Sequence, residues 1–234
     1  MIIINNYKFA DIGYYINLET RIDRRENIEK QFSNYNISGV ERYSADTSTV
    51  SKPLNCKISH YEIYKKFLSD SKAETLLVLE DDCLFLPYIF EHTEEVYNNL
   101  SKTNFDLFWL GCRNRRWPKP YKNKCYFVQS VAHTQSYIIN KNLCNFILNN
   151  IPIQGHNGLA IDELLCLIPY GYDVLYDPNK FGFYNLDNPI DTLPTQFISL
   201  CYERALTTQY SSYSDLTEAT VDMESYITSS FPII

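Results

Sequence analysis

Residues 76–82 read Leu-Leu-Val-Leu-Glu-Asp-Asp, an unbroken apolar run that stops on three acids. The stretch from Thr75 to Leu79 has the length of a buried strand, which needs sheet neighbours and covering helices. Its end matters as much as its middle. Open α/β sheets bind ligands at the carboxyl edge of their strands, and this strand sets carboxylates there. Side chains alternate along a strand, so Glu80 and Asp82 point the same way while the extended geometry lasts.

Neighbouring segments complete an α/β pattern. Gly13 to Leu18 is short, apolar and rich in β-formers, which predicts a strand. Thr20-Arg21-Ile22-Asp23 then has the form of a capping box, with Ile28 and Phe32 one turn apart behind it. Apolar residues at Ile58, Tyr61, Tyr64 and Leu68 predict a helix over 58–68. The segment after Pro87 reads as helical, and Phe105 to Leu110 as a strand. Residues 126–132 and 135–139 read as two strands around a short turn, and Asn140 caps a helix through Leu148. Ala160 to Ile168 is a short helix with Asp162 and Glu163 in its first turn, where the dipole favours acids. Tyr172 to Tyr176 is a strand stopped by Asp177-Pro178, after which periodicity weakens. No linker rich in Gly, Pro or Ser divides the chain. The expectation is one domain over 1–234, with a core at about 13–178 and an unassigned segment, 179–234.

Composition excludes several classes. With 45% hydrophobic and 15% aromatic residues the chain is no disordered segment. Its 28 acidic against 21 basic residues, a net charge of −7, argue against a nucleic-acid partner. No apolar run approaches the ~20 residues of a membrane span. The apolar stretch at the amino terminus lacks a basic region before it, so a signal peptide is not expected. The seven Cys are scattered without a CxxC pair, which argues against a zinc knuckle and for free thiols. A reducing, cytoplasmic setting is the corresponding expectation.

The acid cluster at 80–82 suits a hard cation such as Mn²⁺ or Mg²⁺, and clustered carboxylates need a cation or a basic group to offset them. The alternative is a solvated loop or the cap of the next helix. Arg21, Arg24 and Arg25 fall in the first turns of the helix after the first strand, at the same sheet edge. Guanidinium groups and helix amino-terminal amides suit a diphosphate, although Arg25 reads better as a surface charge pairing with a nearby Glu. The basic stretch Arg113 to Lys124 follows the strand at 105–110, and Trp117 within it has the shape to stack on a sugar. Exposed basic loops without a role are also common.

These pieces together resemble glycosyltransferase family 25, which holds lipooligosaccharide galactosyltransferases and collagen hydroxylysine galactosyltransferases. The resemblance rests on Ile16-Asn17-Leu18 with Arg21, Asp23, Arg24 and Arg25, on Ser59-His60 at a helix start, and on Leu79-Glu80-Asp81-Asp82. It continues through Trp109-Leu110-Gly111, Ser136-Tyr137-Ile138-Ile139 and Asp162-Glu163, in the family's order over roughly 13–178. It implies a GT-A-like α/β domain with a mixed, mostly parallel central sheet flanked by helices. It also implies inverting transfer of galactose or glucose from a UDP-sugar to a hydroxyl of a glycan or hydroxylysine.

Residue by residue, the resemblance makes Asp82 and Glu80 ligands of Mn²⁺ (or Mg²⁺). Asn17, Arg21, Arg24, His60, Glu80 and Asp81 line the nucleotide-sugar side. Asp162 is the general base, with Glu163 second; the bland reading of Asp162 is a helix-start acid on the dipole. His60 has one too, Ser59 capping the helix while His60 packs. Two departures stand out. Asn55-Cys56-Lys57 replaces the Gly usual ahead of Ser-His, and all four His precede Asp162, so no late His is there to ligate a metal. The competing function is a catalytically degenerate nucleotide-sugar or glycan-binding protein. A nucleotidyltransferase lacks its Gly- and Lys-rich phosphate loop here, a dehydrogenase its GxGxxG, and a serine hydrolase its GxSxG.

Overall fold

The computed structural model describes residues 1–128, 130–153, 159–170, 196–209, 213–214, 219–220, 227–228 and 231. In chain order the elements are β1 (Ile2–Ile4), β2 (Tyr7–Ala10), β3 (Ile12–Asn17), α1 (Ile22–Asn34), β4 (Ile37–Ser38) and β5 (Val40–Ser44). Then come α2 (Lys52–Ser69), β6 (Thr75–Glu80), β7 (Cys83–Phe85), α3 (Pro87–Glu91), α4 (Thr93–Ser101) and β8 (Leu107–Asn114). β9 (Lys119–Pro120), β10 (Cys125–Phe127), β11 (Val131–Asn140), α5 (Lys141–Asn150), α6 (Ile161–Leu167), β12 (Ser199–Tyr202) and β13 (Thr207–Gln209) follow.

The apolar run at 76–79 is β6, in an eight-stranded sheet of order β5-β3-β6-β11-β8-β12-β10-β9. Its residues divide by parity. Leu76 and Val78 enter one core with Tyr61, Tyr64 and Phe67 of α2, Leu143 and Ile147 of α5, and Leu164 of α6. Leu77 and Leu79 enter a second core with Ile28 of α1, Ile89 of α3, Val96 of α4, and Ile2 and Ile4 of β1. A sheet covered on both faces is why the run carries no polar alternation. Leu107 and Trp109 against Phe108 and Leu110 repeat the division on β8.

The chain is α/β with a mixed central sheet between helices. The sheet is less parallel than expected. β3 runs parallel to β5 and β6, and β12 parallel to β8. β11 is antiparallel to both β6 and β8, and β10 to β12 and β9. The antiparallel β11 lies between β6 and β8, which no local sequence pattern signals.

Several boundaries differ from the sequence reading. The capping box at Thr20 does not form. The Arg21 amide instead closes a turn on the Leu18 carbonyl at 2.9 Å, and the Arg21 guanidinium holds Asp23, so α1 begins at Ile22. α2 begins at Lys52, capped by Ser51 with Pro53 in its first turn, so Ser59-His60 lies mid-helix and not at a helix start. The strand expected over 105–110 is shifted to Leu107–Asn114 and takes in the first basic residue, Arg113. In place of a turn at 133–134, β11 runs unbroken from Val131 to Asn140 while β10 ends at Phe127, and His133 lies in a bulge inside β11 with φ 70°. Asn140 caps α5 as expected, accepting from the Leu143 amide. The unassigned tail supplies β12 to the large sheet and β13 as a partner for β7. The strand expected over 172–176 and its stop at Asp177-Pro178 lie outside the described residues. All seven Cys are free thiols. Among the described residues no helix is long and apolar enough to cross a membrane.

Candidate active site

β6 delivers Glu80 at its last position, and Asp81 and Asp82 follow in the turn before β7. All three acids are at least partly withdrawn from water, with Asp82 only 5% exposed. The counter-charge comes from the first helix. Arg24 Nη1 donates to Asp81 Oδ1 at 2.9 Å and to Asp82 Oδ2 at 3.3 Å. One guanidinium therefore bridges the adjacent carboxylates, as a charge-assisted pair.

The two aspartates differ in what remains open on them. Asp81 Oδ2 accepts from Asn17 Nδ2 at 2.7 Å, so both of its oxygens are engaged. Asp82 Oδ2 also accepts from Gln209 Nε2 at 2.7 Å, whereas the buried Asp82 Oδ1 has no hydrogen-bond partner. Burial, then the neighbouring Glu80 charge, push the Asp82 carboxyl up to about 7 against the pull of Arg24. Asp81 is also raised, by burial foremost, with Arg24 and Asn17 opposing. Burial would raise Glu80 too, but His60 and the Thr134 hydroxyl outweigh it and hold Glu80 below its ordinary value. The open Oδ1 leaves Asp82 an oxygen to offer a cation, whose charge would offset the burial of the ionised carboxylate.

The remaining expected residues fall around this edge. Asn17 is 1% exposed and accepts from Arg42 Nε at 2.9 Å while its amide holds Asp81 and the Arg21 carbonyl. Arg21 pairs with Asp23 at 2.8 Å. Arg25 approaches Glu19 at 3.9 Å, the surface pairing expected of it. His60 is 0% exposed; its Nδ1 lies 2.6 Å from the Tyr137 hydroxyl, and its Nε2 lies 3.7 Å from Glu80 Oε1. Ser59 accepts from the Asp46 amide at 2.8 Å and so ties the loop after β5 to α2.

Asp162 approaches from α6. Its Oδ2 accepts from the His133 amide and its Oδ1 from the Glu163 amide, both at 2.9 Å. Glu163 turns back to the Ala160 amide at 3.1 Å, half of a capping box. The left-handed backbone at His133 presents that amide to Asp162; such a conformation costs about 1–3 kcal/mol in a non-glycine residue. The His133 ring has its pKa lowered by burial foremost, with Asp162 and Glu80 opposing and the charges of Arg113 and Arg115 adding. The first part of the basic stretch therefore lies near His133, with Arg113 paired to Ala132 across β8 and β11. Its far end turns elsewhere, since Lys124 pairs with Glu95 and Glu203. Trp117 is 61% exposed.

Three contributors were not foreseen. Gln209 lies in a tail without periodicity, Thr134 donates to Glu80 Oε1 at 2.5 Å, and His133 acts through its backbone. None carries a local signal, because each acts through a long-range pairing. The Leu110-Gly111 pair has a physical reason that the structure supplies. A Cβ on Gly111 would overlap the Thr207 carbonyl oxygen and hydroxyl, so only glycine lets β13 lie against β8 and bring Gln209 to Asp82.

The profile of glycosyltransferase family 25 (LPS biosynthesis protein) matches residues 42–165. A putative glycosyltransferase of Acanthamoeba polyphaga mimivirus is 30% identical over 105 residues, 36% of this chain and 32% of the relative. The aligned part thus spans about a third of that relative's length. Among solved structures, a glycosyltransferase involved in glycosylation of the major capsid of PBCV-1 is 12% identical, with a TM-score of 0.44 over 71% of this chain and 78% of that one. A197 from STIV is 13% identical, with a TM-score of 0.43 over 90% of this chain and 92% of that one. With its profile matching more than half of the 234 residues, the chain belongs to glycosyltransferase family 25.

Proposed function

We propose that this chain transfers a hexose, galactose or glucose, from a UDP-sugar to a hydroxyl on a glycan or hydroxylysine. The observation that carries the reading is Asp82: a buried carboxylate with an open Oδ1, beside two further acids, at the carboxyl edge of the sheet. Its oxygen donors fit Mn²⁺ or Mg²⁺, with Asp82 as the residue that holds the ion and Glu80 next to it. Such a cation would screen the diphosphate of a nucleotide sugar as the sugar–phosphate bond breaks.

The chain's own residues account for the other parts. Arg24 keeps Asp81 and Asp82 together against their mutual repulsion. Asp81, with both oxygens occupied, orients the cluster through Asn17 and Arg24. Arg21 stands at the amino end of α1, where helix amides favour a phosphate. Asp162 is the base: the acceptor hydroxyl attacks the anomeric carbon, its proton passes to Asp162, and UDP leaves on the opposite face with the bonding electrons. The two backbone amides on Asp162 fix its direction, and each oxygen keeps a second lone pair for that proton. Glu163 is the weaker candidate because it serves the Ala160 amide.

A panel of nucleotides and UDP-sugars, scanned by thermal unfolding with and without Mn²⁺, tests the reading. A ligand at ~100 times its Kd stabilises the fold by about 2.7 kcal/mol. A Mn²⁺-dependent shift with a UDP-hexose is the expected result. Shifts with no nucleotide at all would overturn it in favour of a degenerate, glycan-binding protein.

A further inference from the structure

Beyond the acid cluster, a second set of ligand atoms converges where α2 meets the end of β6. Cys56 Sγ, a His60 ring nitrogen and a Glu80 carboxylate oxygen all lie within 4.8 Å of one another. Cys56 and His60 are four residues apart on α2, the spacing that stacks side chains on one helix face. We infer that Cys56, His60 and Glu80 form a binding site for a zinc-class cation, adjoining the oxygen site at Asp82 and sharing Glu80 with its edge.

A different observation points the same way. His60 Nε2 is fully buried and has no hydrogen-bond partner. It faces Glu80 Oε1 at 3.7 Å, too far for a hydrogen bond. Two ligands of one tetrahedral zinc, each ~2.0–2.2 Å from it, sit roughly 3.3–3.6 Å apart, close to that separation. The other ring nitrogen is provided for. Nδ1 lies 2.6 Å from the Tyr137 hydroxyl, which in turn lies 2.6 Å from the Tyr64 hydroxyl. With Nδ1–H donated to Tyr137, the free lone pair is on Nε2, the nitrogen that faces Glu80 Oε1. Fixing the tautomer of a ligating histidine through an outer oxygen is the usual arrangement around protein metals.

The donor set selects the ion. One sulfur, one imidazole and one carboxylate suit Zn²⁺ or Co²⁺, whereas Mg²⁺ and Mn²⁺ prefer oxygen alone. Binding releases the Cys56 thiol proton to solvent, and three protein ligands leave a fourth position for water. The ion would bolt α2 to the strand end that carries Asp81 and Asp82. The site does not depend on the transferase reading, since it needs no nucleotide.

The test is a Co²⁺ titration of the chelator-treated full chain, free of any histidine tag, followed by absorption spectroscopy. One equivalent should produce a thiolate-to-cobalt band in the near ultraviolet with tetrahedral bands in the visible, and Zn²⁺ should displace both. Cys56→Ser should abolish the thiolate band, and Tyr137→Phe should weaken Co²⁺ binding about 10–100-fold. Asp82→Asn should leave the spectrum unchanged. Absence of the band in the unsubstituted chain, its persistence in Cys56→Ser, or its loss in Asp82→Asn would each overturn the inference. Circular dichroism of each variant confirms folding, and His60→Gln, with the same loss expected, replaces Cys56→Ser if that variant fails to fold.

Discussion

Gln209 donates its side-chain amide to Asp82 Oδ2 at 2.7 Å across 127 positions of sequence. The contact exists because β13 pairs with β7, placing Gln209 opposite Cys83, the residue after Asp82. The C-terminal part of the chain, which lies beyond the end of the family profile at 165, is thus built into the acid cluster.

Burial of Asp82 has a pH signature. Its folded pKa of about 7 lies above the ~3.9 of an exposed Asp, so the folded state holds the extra proton between those values. Its contribution is therefore fully present below about pH 4 and lost as pH rises through about 7, an effect on the order of a few kcal/mol. Asn cannot ionise. In metal-free buffer, Asp82→Asn should melt higher than the unsubstituted chain at pH 8 and keep only a minor part of that advantage at pH 5. An equal difference at both pH values would contradict the buried, reluctant carboxyl.

Arg24 is the counter-charge for two buried acids, and removing one partner of such a group typically costs about 3–5 kcal/mol. Arg24→Ala should lower stability by that order in urea unfolding. Adding Asp82→Asn to it should recover part of the loss, because the stranded charge is then removed. Strict additivity of the two substitutions would mean that Arg24 and Asp82 do not interact.

Gly111→Ala places a methyl group against the Thr207 backbone. Overpacking of this kind costs about 1–3 kcal/mol, read as a lower urea midpoint at unchanged slope. Because β13 must move to relieve it, donor binding should weaken in the same variant. A stable Gly111→Ala chain with unaltered binding would show that β13 is free to shift without consequence.

Asp162→Asn keeps an oxygen for one backbone amide but cannot take a proton. Steady-state transfer should fall about 10²–10⁴-fold in kcat, with the donor KM little changed. Turnover near that of the unsubstituted chain would move the base elsewhere.

Much of this arrangement was readable from the sequence. The strand at 75–79 and the acids after it, the helix behind Asn140 and the short helix bearing Asp162 all follow from local pattern. The errors have physical causes. Thr20 offered a cap, but Arg21 captured Asp23 and a turn on Leu18 set the helix start instead. Ser59-His60 read as a helix start although Ser51 and Pro53 already signal one further back. The antiparallel β11, the bulge at His133 and the return of Gln209 depend on pairings between distant segments, to which residue periodicity is blind.

On the proposed reading, Asp82 holds a cation on which nucleotide-sugar binding depends. Calorimetric titration of a UDP-hexose, with and without Mn²⁺, into the unsubstituted chain and Asp82→Asn tests it most directly. The expected result is saturable binding only with Mn²⁺, lost in Asp82→Asn while the variant remains folded. Binding of equal strength without metal, or undiminished in Asp82→Asn, would contradict it.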